Sequence, residues 1–224
     1  MTTPKLLILL LLVAGTVILS NGKAVEKKKE QKCNDKEQNL ITAKSDSSKP
    51  KPAVIKSFRG TVYNIEGSPS CSGSRPTVLL PGYVKLLDGE LHVPKKYDLV
   101  KNGVIKLTIR GTNFDTPLCL NGESQYLALP NSFCTTDLCS FIGADICRIL
   151  EQPGVHSIKE LEEKLGFNST LELPEAPSLL GISLLDLFSG EFSFGFDIEH
   201  AGESILVMKV PTNEAYLQIG VTAD

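Results

Sequence analysis

From Gly190 to Val210 the chain reads GEFSFGFDIEHAGESILVMKV, and no other stretch restricts the fold as tightly. Phe192, Phe194, Phe196 and Ile198 fall on alternate positions, His200 to Glu203 supplies a turn, and Leu206, Met208 and Val210 alternate on the way back. Successive side chains of a strand point to opposite faces, so this pattern predicts a hairpin with one apolar face. GVIKLTIRG, residues 103 to 111, repeats the device, with Ile105, Leu107 and Ile109 on one face and Val104, Lys106, Thr108 and Arg110 on the other. SFRGTVYNI, SQYLALP, AYLQIGV and YVKLLDGELHV read as further strands, the last with a hairpin turn expected at Asp88-Gly89. Helical spacing appears in two places. Ile142, Ile146, Ile149 and Leu150 predict a helix over about 141–152, ended by Gln152-Pro153-Gly154. Ser157 and Glu160 form a capping box for a second helix over about 157–166, with Ile158, Leu161 and Leu165 inward. The expected class is mainly β: an antiparallel β-sandwich or cup with one or two short helices.

The N-terminus, MTTPKLLILLLLVAGTVILSNGKA, places one lysine before an apolar run and small residues after it. That is the layout of a secretory signal peptide, read here as residues 1–22. The run is shorter than the roughly 20 apolar residues of a membrane-spanning helix. Residues 23–52 are rich in Lys, Glu, Asp, Ser and Pro and read as a flexible charged leader. One folded domain is expected over 54–222. Export to an oxidising compartment, extracellular or lysosomal, turns six cysteines into a disulfide framework. The spacing of Cys134 and Cys139 makes them the first pair to expect, as a staple on a short loop. Cys33, Cys71, Cys119 and Cys147 have no assigned partners, although Cys147 lies beside the apolar face of the first helix, where a bond would pin that helix to the sheet. Asn168-Ser169-Thr170 is a glycosylation sequon.

The chemistry is conspicuous for what it lacks. No G-x-S-x-G, H-E-x-x-H or phosphate-binding loop is present, and the three histidines are scattered. No catalytic residue, metal ligand or cofactor is assigned, and the expectation is a protein that is not an enzyme. The leader takes nine of the 23 basic residues but only five of the 26 acidic ones, which leaves the domain acidic and argues against nucleic acid as a partner. The segment LPEAPSLLGISLLDLFSG, residues 173 to 190, concentrates Leu179, Leu180, Ile182, Leu184, Leu185, Leu187 and Phe188 with little polar surface. It reads either as a buried core segment or as an apolar rim that meets lipid or a membrane surface.

Two stretches resemble the ML lipid-recognition family, and within it the ganglioside-activator branch. LPNSFCTTDLCSFIGADICRIL, from Leu129 to Leu150, is similar to that branch's stapled loop running into a short helix. LELPEAPSLLGISLLDLFSGEFSFGFDIEHAGESILVMKVP, from Leu171 to Pro211, is similar to the family's apolar, proline-bearing loop and closing hairpin. The chain departs from the family in having no thiol among Ile205, Leu206, Val207 and Met208, and in placing Ser140 after Cys139. The resemblance implies a β-cup with an apolar cavity that holds acyl chains and presents glycolipid to a soluble glycosidase. Leu179 to Phe188 would form the cavity mouth, and Ile105, Leu107, Ile109, Phe192, Phe194 and Phe196 its lining. The competing expectation is an extracellular β-sandwich interaction module with no lipid cavity.

Overall fold

The computed structural model describes residues 33–173 and 190–220, and the backbone of residues 178–179 and 182–183. The chain divides into two units, Met1–Lys32 and Cys33–Asp224. The first, which contains the expected signal peptide, lies outside the described residues.

Within the second unit one curled sheet carries nearly all the strands. β1 (Leu40–Ser45) and β2 (Val54–Tyr63) run antiparallel, Leu40 opposite Thr61 and Ala43 opposite Phe58. After the short β3 (Cys71–Ser72) and β4 (Arg75–Leu79), the long β5 (Gly82–Val93) returns along β2. A one-turn helix, α1 (Leu99–Asn102), leads into β6 (Gly103–Gly111). A stapled excursion holds β7 (Cys119–Leu120), β8 (Glu123–Ser124) and β9 (Thr135–Asp137), and then α2 (Leu138–Ile142) and α3 (Ala144–Leu150). β10 (Gly154–Ser157) and β11 (Thr170–Leu173) pair with successive parts of β5, with α4 (Ile158–Leu165) between them. β12 (Ser178–Leu179) and β13 (Ile182–Ser183) form a separate two-stranded pair. The long hairpin of β14 (Gly190–His200) and β15 (Glu203–Val210), followed by β16 (Leu217–Gly220), closes the chain. In space the order is β5, β2, β1, β15, β14, β6, with β16 continuing beside β14 and pairing outward with β4.

The mainly β class is as expected, and the hairpin and the Val104–Arg110 alternation stand where the periodicity put them. The sheet is mixed, not purely antiparallel, because β16 and β4 run parallel. It is also continuous through β1, where the sandwich reading expected separate sheets. Asp88-Gly89 makes no hairpin turn. β5 passes straight through these residues and absorbs an irregularity in its register with β2 between Arg59 and Gly60. Gly89 is needed there for contact, not for bending: a Cβ on it would lie 2.6 Å from Cγ of Phe58, so the Phe58 ring rests on the bare glycine backbone. SQYLALP contributes only Ser124, the last residue of β8, as strand.

The leader expected over 23–52 is corrected for the part the structure describes. Residues 33–52 belong to the folded body, and β1 is an interior strand hydrogen-bonded to β2 on one side and β15 on the other. Asn39 is fully buried, its amide Nδ2 donating to the Val62 carbonyl at 3.0 Å and to Asp35 at 3.1 Å. Tertiary pairing on both edges and one satisfied buried amide outweigh a composition that reads as disordered. The expected helix over 141–152 is two helices, Leu138–Ile142 and Ala144–Leu150, parted at Gly143, whose φ of 91° only glycine adopts readily. The second expected helix is α4, where Ser157 caps the start by accepting from the Glu160 N–H at 3.1 Å and Gly166 ends it at φ 61°.

The pairing of Cys134 with Cys139 is also corrected. Cys134 bonds to Cys119, Cys139 to Cys147, and Cys33 to Cys71. Cys134 and Cys139 are close in sequence, but β9 lies between them and carries them to different cores. Cys147 therefore pins one helix to another and not to the sheet.

A direct check of the sheet contacts is Gly89→Ala. The new methyl must push against Cγ of Phe58, so the variant is expected to lose about 1–3 kcal/mol in urea unfolding, the usual cost of overpacking.

Candidate functional site

β14 and β6 lie side by side with Phe192 opposite Gly111, Phe194 opposite Ile109, Phe196 opposite Leu107 and Ile198 opposite Ile105. All of these face one side of the sheet, so the six residues expected as lining are brought together. They do not form one uniform core. Ile105 joins Ile55, Leu91, Val93, Leu99, Ile205 and Leu206 in a cluster sealed by α1, α2 and α3 through Leu99, Leu138, Cys139 and Cys147. Ile109 and Phe192 join Leu118 and the Cys119–Cys134 bond in a second cluster.

Between these two cores lies a seam. Leu107 packs against both clusters, Phe196 against the first and Phe194 against the second. The two rings stack at 6.5 Å between centroids, and Phe192 continues the row at 6.4 Å from Phe194. Phe192 is buried, with 1% of its surface exposed, but Leu107, Phe194 and Phe196 are only half-buried. Ile198, Met208 and Phe58 border the seam in the same state. A row of large apolar side chains on the core face of a sheet, partly reached by solvent, is the candidate site. A separate groove of about 380 Å³, lined by Ile65, Pro81, Gly82, Tyr83, Glu172 and Leu173, lies at the other end of β5.

The expected mouth residues cannot be placed in the same way. Leu180, Leu184, Leu185, Leu187 and Phe188 lie outside the described residues. Leu179 and Ile182 are described in backbone only, as partners in the β12–β13 pair. Asn168 is exposed, with its Oδ1 accepting from the Thr170 N–H at 2.9 Å. Glu191, which borders the apolar segment, is paired with Arg75 at 2.8 Å. Among the described residues no three His, Cys, Asp or Glu side chains gather as metal ligands.

Two residues at the first core had no signal in the sequence pattern. Tyr97, 3% exposed, belongs to the first core, although Lys95, Lys96 and Asp98 around it read as a surface loop. His200 meets it edge-on, with centroids 5.4 Å apart, and its Nε2 accepts from the Asp98 N–H at 3.2 Å. Burial pushes the Tyr97 phenol up in pKa, and the charge of Glu203 adds to the shift.

No family model matches the chain, and no curated protein is significantly similar to it.

The helical layer over the first core starts at a charged cap. Asp137 accepts from the Ser140 N–H at 2.7 Å, and that backbone hydrogen bond holds its carboxyl below the usual range. A depressed carboxylate contributes stability that is present above its unfolded value, near 3.9, and is lost as pH falls through the folded value. Asp137→Asn keeps an acceptor without the proton-binding site. Its unfolding midpoint is expected to fall less than that of the wild type between pH 5 and 2, followed by circular dichroism.

Proposed function

We propose that this is an exported lipid-binding protein, not an enzyme, that holds an acyl chain against the seam formed by Leu107, Phe194 and Phe196. The observation that carries the reading is the half-burial of these side chains between two sealed cores. Apolar surface on the core face of a sheet is normally covered, and here the described side chains leave it partly open. Hydrocarbon is the natural cover. Each methylene taken out of water gains about 0.8 kcal/mol, so a chain of some 14 carbons supplies about 11 kcal/mol before association costs of roughly 4–15 kcal/mol. Binding then needs most of the chain to be covered, and a single aromatic pair is too small for that. Ile198, Met208 and Phe58 extend the apolar strip along the sheet.

The six cysteines, all in disulfides, support an oxidising compartment, extracellular or lysosomal. Similarity of the stapled loop and closing hairpin to the ML family supports the same reading, as does the apolar segment from Leu179 to Phe188, assigned here to the mouth and to contact with a membrane surface. Under this reading a soluble glycosidase acting on the presented glycolipid is the protein partner, and Asn168 carries glycan.

Native mass spectrometry of the protein secreted from eukaryotic cells is expected to show a co-purified lipid. A protein-only mass, together with no uptake of added phospholipid or glycolipid, overturns the proposal. Leu184→Asp and Leu187→Asp are expected to reduce liposome flotation several-fold while leaving the circular dichroism spectrum unchanged.

A further inference from the structure

We propose that His200 is a pH-dependent latch: while neutral it holds the Pro94–Asp98 loop to the tip of the β14–β15 hairpin, and on protonation it lets that loop go. The inference does not depend on lipid binding. His200 is the last residue of β14, opposite Gly103 of β6 and Glu203 of β15. Next to it the Ala201 N–H donates to the Asn102 carbonyl at 3.2 Å, so the ring is carried by backbone that is tied on three sides. From there its Nε2 accepts from the Asp98 N–H at 3.2 Å, and its edge meets the Tyr97 ring at 5.4 Å between centroids. Tyr97 and Leu99, on either side of Asp98, are each 3% exposed and belong to the first core, while Pro94, Lys95 and Lys96 are exposed. The latch therefore acts where a surface loop enters the core.

An imidazole nitrogen accepts a hydrogen bond only while it carries no proton, so the observed bond requires the neutral ring with its hydrogen on Nδ1. A proton added at Nε2 turns that acceptor into a donor and sets it against the Asp98 N–H. Histidine is the side chain that makes this change between about pH 5 and 8. Because only the neutral ring makes the bond, acid shifts the balance toward the released loop. The surrounding charges act in the same direction. Lys95, on the loop, already stands 5.5 Å from the Tyr97 ring centroid, so a charged His200 brings a second cation to one ring. The carboxylate opposite His200 is Glu203, which belongs to the hairpin and not to the loop. The other carboxylates nearby have partners: Asp98 lies 4.0 Å from Lys101, Glu199 accepts from Lys106 at 2.8 Å, and Glu151 accepts from the Val100 N–H at 2.9 Å. Burial pushes the Tyr97 phenol up, so it stays protonated throughout this range. The loop's remaining tie, from the Tyr97 N–H to the Glu151 carbonyl at 3.1 Å, contains no group that titrates.

Amide hydrogen exchange followed by NMR at about pH 7.5 and about pH 5, corrected for the intrinsic rate, tests the latch. In the wild type the protection of the Asp98 amide is expected to fall about tenfold on acidification, the loss of one hydrogen bond, while the amides of the β14–β6 ladder keep theirs. His200→Gln and His200→Ala cannot titrate, and in each the Asp98 protection is expected to be the same at both pH values. Proton–nitrogen correlation through the wild-type imidazole is expected to place the hydrogen on Nδ1 at the higher pH. Equal wild-type protection at the two pH values, an acid loss that persists in either variant, an equal loss across the ladder, or a neutral ring protonated at Nε2 overturns the latch. No lipid enters these measurements, so their failure leaves the lipid-binding reading to its own test.

Discussion

The backbone ladder between β14 and β6 is the constraint on which the rest depends. It pairs nine consecutive residues, from Phe192 opposite Gly111 to His200 opposite Gly103, without a break. Side chains alternate with a period of two, so a slip of one residue would turn every phenylalanine of β14 to the outer face and bring Ser193, Asp197 and Glu199 inward. The outer face guards against that slip. Lys106 donates to Glu199 at 2.8 Å and Ser204 to Asp197 at 2.5 Å, pairs that form only in the observed register. Both clusters, the aromatic row and the seam between them follow from this one alignment.

What was legible in the sequence follows from the range of the interactions. The hairpin and the 103–111 strand were readable because their burial pattern repeats every two residues on each strand alone. The capped start of α4 was readable because Ser157 meets the Glu160 N–H within one turn. β1 was not, because LITAKS is ordinary in isolation and becomes an interior strand only when β15 and β2 arrive from distant parts of the chain. The disulfides failed in the same way. Spacing favoured Cys134 with Cys139, but partner choice is set by where β6 holds β7 and β9, which brings Cys119 and Cys134 together. Tyr97 was hidden by its neighbours, since a lone aromatic among lysines and an aspartate carries no period.

The three covalent links divide the labour. Cys33–Cys71 ties the start of the folded body to β3, close in sequence to Asp35 and its network with the buried Asn39 and Tyr63. Cys119–Cys134 lies fully buried inside the second core and closes the loop that covers Phe192. Cys139–Cys147 joins α2 to α3 across the Gly143 break, giving two helices too short to persist alone a fixed mutual position over the first core. Cys119–Cys134 and Cys139–Cys147 fix the covers of the two cores, and the long strands of the sheet are left to hydrogen bonding. The seam lies between the covers, and none of the three bonds crosses it.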